Sequence, residues 1–176
     1  MIYFTSDLHF GHENVIRFNN RPFKDKDERE MSRVLITNYN SIVKPDDTVY
    51  LLGDLAYKIG ADQANAYFQQ LNGRKILIIG NHDRYEEYDQ SLFEEITHYT
   101  YLRTEGVSLA LMHYPILDWQ GGRNKGGLML HGHMHNTPKY NEENRANGIR
   151  RYDVGVDANY YFPVSLTYIK QFFGIE

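Results

Sequence analysis

The chain alternates short apolar runs with polar stretches, and the runs stop abruptly on small or polar residues. Ile2-Tyr3-Phe4-Thr5 leads into Ser6-Asp7-Leu8-His9, and the run 48–52 into Gly53-Asp54. The run 75–79 leads into Gly80-Asn81-His82-Asp83, 107–112 into His113, and 128–130 into His131-Gly132-His133-Met134-His135. Aliphatic and β-branched runs this short read as buried strands. Between the early runs the period changes. Met31, Val34, Leu35 and Ile42 share helical spacing, interrupted only by Asn38, and Asp27 with Glu30 ahead of them has capping-box spacing. Ala64, Tyr67, Phe68 and Leu71 form a second stripe that Gly73 is placed to end. A third helix is predicted over 83–96, with Asp83 as its cap and Glu86 three residues on. The first half therefore reads β-α-β-α-β, which implies an α/β fold with a parallel sheet and right-handed crossovers.

The second half reads differently. Strands are predicted near 96–104 and 107–112 around a hairpin turn at Glu105-Gly106. The segments 114–127 and 136–150 are long, polar and rich in Gly, Asn, Lys and Arg, and read as functional or mobile loops. A strand at 151–156 follows, then Pro163-Val164-Ser165 and a short helix over 166–173. With no repeat, linker or low-complexity segment, one domain over 1–176 is expected.

Composition narrows the function classes. A net charge of −4 argues against a basic surface that grips nucleic acid, but leaves a nucleotide substrate open, since bound cations can supply positive charge locally. The absence of cysteine excludes disulfides and thiolate metal sites and permits an intracellular location, so a cytoplasmic protein is expected. Met1 to Asp7 does not read as a signal peptide, and no apolar run approaches the roughly 20 residues of a membrane span.

Eight histidines are present, and their placement matters more than their number. Ligands of open α/β sheets bind beyond the carboxyl ends of the strands, where all five runs place metal-capable residues. Asp7 and His9 are two apart, as are His133 and His135, so each pair points to one side of an extended chain. Taken singly, each block has an ordinary explanation: a turn, a helix cap or a packed histidine. Their joint occurrence in order at strand ends does not. Imidazoles, carboxylates and one amide oxygen suit two divalent ions such as Mn, Fe, Zn, Ni or Co, with a carboxylate able to bridge them.

Asp7-Leu8-His9, Gly53-Asp54, Gly80-Asn81-His82-Asp83, His113 and Gly132-His133-Met134-His135 together resemble the calcineurin-like metallophosphoesterase superfamily, and they span residues 7–135. Phe10-Gly11-His12, Asn20-Arg21-Pro22-Phe23 and Val154-Gly155-Val156-Asp157 resemble a small bacterial and phage branch of it. The resemblance implies a four-layer α/β/β/α sandwich of two mixed sheets flanked by helices. It implies one metal on Asp7, His9, Asp54 and His135, and a second on Asp54, Asn81, His113 and His133, with Asp54 bridging and manganese expected in vitro. It also implies phosphoester hydrolysis by a hydroxide held between the ions. His82 would face the phosphate as general acid or electrostatic stabiliser, and Asp83 would orient it.

Further residues are candidates of a plainer kind. His12 either caps the helical stretch after it or contacts phosphate. Arg17, Arg21, Arg84, Arg123 and Lys125 are candidates for phosphate contacts, Arg21 from its branch-like segment and Arg123 and Lys125 from their Gly-rich loop. His131 and His98 read as structural, and Trp119 as either a pocket wall or a loop anchor. The leading expectation is a phosphodiesterase acting on a phosphoester, nucleotide or nucleic-acid derived, with no membrane and no obligate protein partner. A phosphomonoesterase using the same centre is the alternative. A non-catalytic scaffold, as the resemblance to retromer relatives with degraded ligand sets would suggest, fits poorly with a complete set.

Overall fold

The computed structural model describes residues 1–23, 27–122 and 126–175. In chain order its elements are β1 (Ile2–Thr5), α1 (Glu13–Phe18), α2 (Glu28–Ile42), β2 (Thr48–Leu51), α3 (Ala61–Phe68), β3 (Arg74–Ile78), β4 (Glu95–Thr97), β5 (Tyr99–Thr104), β6 (Val107–Met112), β7 (Leu128–His131), α4 (Pro138–Ala146), β8 (Arg151–Asp153), β9 (Val164–Ser165) and α5 (Leu166–Phe172). Two mixed sheets result. One has the order β4-β3-β2-β1-β9 and the other β5-β6-β7-β8. Among the described residues only the edge strands β9 and β5 run antiparallel to their neighbours.

Strand alternation decides what lies between the layers. Phe4, Tyr50 and Ile76 stand in register across the first sheet. Together with Leu52 and Ile78 they pack on Leu109, Leu111, Leu128, Leu130 and Tyr152 of the second sheet. Their neighbours Tyr3, Val49, Leu51 and Leu77 point the other way, onto Ile16, Met31, Leu35, Tyr39, Ala64 and Phe68 from α1, α2 and α3. On the far side, α4 packs on β8. The order of layers is α/β/β/α. Among the described residues no helix is long and apolar enough to cross a membrane.

Local chemistry explains most boundaries. The Asp27 carboxylate accepts from the Arg29 and Glu30 amides at 2.9 and 3.3 Å and starts α2. Glu105 and Gly106 adopt φ of 45° and 79° between the paired residues Thr104 and Val107, the left-handed pair that a two-residue hairpin needs.

Three expectations need correction. Residues 83–96 do not form an α-helix. They make 3₁₀ turns at Tyr85–Glu87 and Gln90–Leu92 and then enter β4. Asp83 cannot cap a helix because its carboxylate is spent on the amides of Asp54, Leu55 and Gly80, and Tyr88 and Phe93 turn in against Phe68. The expected strand at 96–104 divides at His98, with β4 in one sheet and β5 in the other. The polar segment 136–150 holds α4, begun by a proline in its first turn. The buried face of α4 carries Asn141 and Asn144, whose amides bond the backbone of β8, so no apolar stripe announces the helix.

Candidate metal centre

The ligand-bearing stretches leave the ends of β1, β2, β3, β6 and β7. Asp7, His9, Asp54, His133 and His135 all have left-handed backbones, with φ of 59°, 53°, 54°, 70° and 48°. Non-glycine residues seldom adopt this conformation, and it persists only where surrounding structure enforces it. Here it turns each side chain off the strand axis toward a common point. The backbones also approach closely: a Cβ on Gly53 would lie 2.6 Å from both the Gly80 Cα and the His113 Nδ1, so only glycine fits ahead of Asp54.

Among the described residues two triads form, Asp7/His9/His135 and Asp54/His113/His133, and within each the candidate ligand atoms all lie within 4.8 Å of one another. Asp54 joins them. Its Oδ1 accepts from the His82 amide at 2.9 Å, while Oδ2 faces His113 Nε2 at 3.5 Å, His9 Nε2 at 3.7 Å and His82 Nε2 at 4.0 Å. Asn81 adds its amide oxygen 3.0 Å from His113 Nε2. Asp7, His9, Asp54 and His113 are buried, whereas Asn81 and His82 are exposed at the rim.

The donor set fits cations. The His113 Nδ1 lies 2.8 Å from the Leu52 carbonyl, which can only accept, so that nitrogen carries the proton and Nε2 presents its lone pair to the centre. The His9 and His135 Nε2 atoms face each other at 3.1 Å, and the Asp7 carboxylate, held by Ser6 Oγ and the His133 amide, lies 3.8 Å from His135 Nε2. Lone pairs and carboxylates crowded this closely in a buried place need either protons or metal ions between them.

The titration behaviour of the chain without metal reflects that need. Burial pushes the Asp7 carboxyl up to about 7 against the pull of His135 and His113. Burial opposes a charge on His113, yet the hydrogen bond to Asp54 and the charges of Asp7 and Asp54 raise it to about 9. Burial alone would raise Asp54, but His113, the His82 amide and His9 together hold the carboxyl down at about 2. Metal ligation needs His113 Nε2 and Asp7 deprotonated, so cation uptake near neutral pH should expel on the order of one to two protons per pair of ions and weaken as pH falls. Calorimetric titration with manganese in two buffers of different ionisation enthalpy measures this. Equal heats in both would contradict the proton inventory.

The sequence profile of the calcineurin-like phosphoesterase family matches residues 1–160. The chain belongs to that family. An uncharacterized protein of Methanocaldococcus jannaschii is 36% identical over 170 residues, which cover 96% of this chain and 88% of the relative. The gene 66 protein of Mycobacterium phage L5 is 27% identical over 185 residues, covering 89% and 86%. A crystal structure of a protein of unknown function from Aquifex aeolicus superposes with a TM-score of 0.76 at 31% identity, covering 97% of this chain and 98% of that one. The fold is thus that of the family, and the paired triads lie within it.

In this member of the family several residues sit elsewhere than expected. Asp83 makes no hydrogen bond to the His82 ring. It binds three backbone amides at 2.8–2.9 Å and ties the Gly-Asp loop to the Gly-Asn-His-Asp loop. Arg21 does not reach out for phosphate. Its buried guanidinium grips Asp157 with two bonds, at 2.9 and 2.8 Å, and donates to the carbonyls of Asp7 and Leu8. His12 occupies the N-cap position of α1 without a side-chain capping bond. Its ring stacks on Tyr57 at 3.8 Å, and its Nδ1 lies 3.4 Å from that of His9, beside the centre. Arg17 and Arg84 bond to Asn14 and Glu87. Arg123 and Lys125 lie outside the described residues.

His131 is buried, with Nδ1 on the Gly132 carbonyl and Nε2 facing Tyr140, outside both triads. His98 is exposed at the sheet change, with its ring edge to Tyr85. Trp119 anchors its loop through Nε1 on the Gly127 carbonyl. Sequence reasoning missed Asp157, Asn19 and Tyr57. Asp157 was visible only as the last residue of a branch-like segment. Its bond to His135 Nδ1 at 2.8 Å appears only in the folded chain.

Proposed function

We propose that this one-domain protein is a metal-dependent phosphoester hydrolase, and specifically a phosphodiesterase. The observation that carries the reading is Asp54 Oδ2, which stands between the imidazoles of the two triads with the rim histidine His82 above it. One ion would be held by Asp7, His9, Asp54 and His135, the other by Asp54, Asn81, His113 and His133, with Asp54 shared. When bound, such a pair of ions supplies a hydroxide near neutral pH and offsets the charge of phosphoryl oxygens.

The remaining work falls to the chain. The buried Asp7, His9, Asp54 and His113 hold their ligating atoms away from bulk water, which strengthens the charge interactions above them. His82, with 38% of its side chain exposed, is free to meet a substrate oxygen while its amide is pinned by Asp54. It stabilises charge on the phosphoryl group and passes a proton to the leaving alkoxide. An edge-on contact with Tyr57 at 4.8 Å holds its ring over the centre.

Diesters suit the rim. Asn81, His82, Tyr114 and Met134 are all exposed around the centre, which lets a substrate extend past the scissile bond on both sides. A kinetic panel of the manganese-loaded protein against dinucleotides, cyclic nucleotides, single-stranded nucleic acid and simple monoesters tests this. Faster turnover of diesters is expected, and a clear monoester preference would favour a phosphomonoesterase instead. Replacing His82 with Ala should lower kcat by about 10²–10⁴-fold with metal content unchanged. Loss of metal in that variant would instead make His82 a ligand.

A further inference from the structure

Resting on the metal-centre reading above, the geometry points to a positioning role for residues outside the family's five ligand blocks: Asp157, itself held by Arg21, fixes the His135 imidazole in the one tautomer that can ligate a cation. The His135 ring has two neighbours at the same nitrogen. Asp157 Oδ2 lies 2.8 Å from Nδ1, and the Asn19 side-chain nitrogen lies 2.6 Å from it. Nδ1 cannot serve both. Bonding to Asp157 requires a proton on Nδ1 and leaves the Nε2 lone pair free toward Asp7 and His9. Accepting from Asn19 would place the proton on Nε2 and close the nitrogen to a metal ion.

The carboxylate wins because a charge-assisted hydrogen bond is about twice as strong as a neutral one. The Asn19 amide can turn its oxygen toward the same Nδ1–H, since the two orientations of an amide are nearly alike in shape. Asp157 in turn has no freedom. Arg21 Nε takes Oδ1 at 2.9 Å and Arg21 Nη2 takes Oδ2 at 2.8 Å, and both groups are buried. The same guanidinium holds the Asp7 carbonyl at 2.8 Å, so one buried cation sets the register of Asp7 and, through Asp157, the tautomer of His135.

Asp157→Leu is the informative change. Asp157→Asn is not decisive, because Oδ2 is shared by Arg21 Nη2 and His135 Nδ1, and an amide oxygen in that place would serve both and keep the tautomer. With leucine the Nδ1–H loses its charged acceptor, Asn19 is the polar neighbour left at Nδ1, and its NH₂ donates there once the ring moves its proton to Nε2.

The test is a ¹H–¹⁵N correlation experiment on the histidine rings of the metal-free protein at alkaline pH, joined to manganese titration and electron paramagnetic resonance of the loaded protein. Wild type should show His135 protonated on Nδ1, and Asp157→Leu should show the Nε2-protonated form. Asn19→Ala should keep the wild-type tautomer. Asp157→Leu should also bind one of its two ions roughly 10–100-fold more weakly, the cost of losing an outer-shell partner, and lose the spin-coupled manganese signal in favour of an isolated ion. A simple loss of fold stability would not exchange the tautomer. An Nε2–H tautomer in wild type, or an unchanged tautomer in Asp157→Leu, overturns the inference. Should Asp157→Leu fail to fold, the wild-type and Asn19→Ala spectra still decide it. Wild type that takes up no metal refutes the proposed function instead, and the tautomer readout stands apart from that result.

Discussion

Asp54→Asn should lose the tight pair of ions and the activity together. The substitution keeps the shape of the side chain and one oxygen, and can preserve the bond from the His82 amide to Oδ1. It removes the charge at Oδ2, the atom that faces His9 at 3.7 Å and His113 at 3.5 Å. Two divalent ions about 3.5–4 Å apart repel strongly and need a shared anion between them. Outer-shell partners cost about 10–100-fold in affinity when removed, and a shared inner ligand should cost more than that. Metal analysis after extensive dialysis, run beside a diester assay, reads both effects. A variant that retains two ions per chain but has no activity would assign Asp54 to the chemistry and deny it the bridge.

Arg21→Met should be the most destabilising single change outside the core. The guanidinium is buried, paired with Asp157 and bonded to two carbonyls, so its removal strands a carboxylate and leaves the Asp7 and Leu8 carbonyls without that donor. Breaking a buried pair from one side costs about 3–5 kcal/mol. At this chain length that corresponds to a fall in Tm on the order of 6–20 °C. Arg21→Lys keeps the charge and loses the fork, and should fall between wild type and Arg21→Met. The double variant Arg21→Met/Asp157→Leu should cost less than the two single changes added together, because each removes the partner that makes the other costly. Strict additivity in thermal or denaturant unfolding would mean that the pair is not coupled.

What the sequence disclosed follows from the range of the interactions involved. The ligands were legible because each is written locally, as one or two polar residues at the end of an apolar run, and a strand end is where an α/β sheet presents its site. The first three parallel strands and α2 were legible because their periodicity matches the faces they bury. Elements that depend on distant partners were not. Asp83 has the form of a helix cap, yet its partners Asp54 and Leu55 lie 29 and 28 residues away, and these bonds hold the following segment in short turns. Arg21 has the form of a phosphate ligand, yet its carboxylate partner lies 136 residues on. The helix α4 buries asparagines, so a search for apolar stripes passes over it. The left-handed backbones of Asp7, His9, Asp54, His133 and His135 carry no signal of composition, because the residue types are chosen for chemistry and the conformation is imposed by the fold.

The proposed hydrolysis depends on cations sitting on either side of one aspartate. Anomalous diffraction from crystals grown with manganese measures this directly. Two peaks about 3.5–4 Å apart are expected, one among Asp7, His9 and His135 and one among His113, His133 and Asn81, with Asp54 touching both. A single peak, or peaks beyond reach of Asp54, would contradict it.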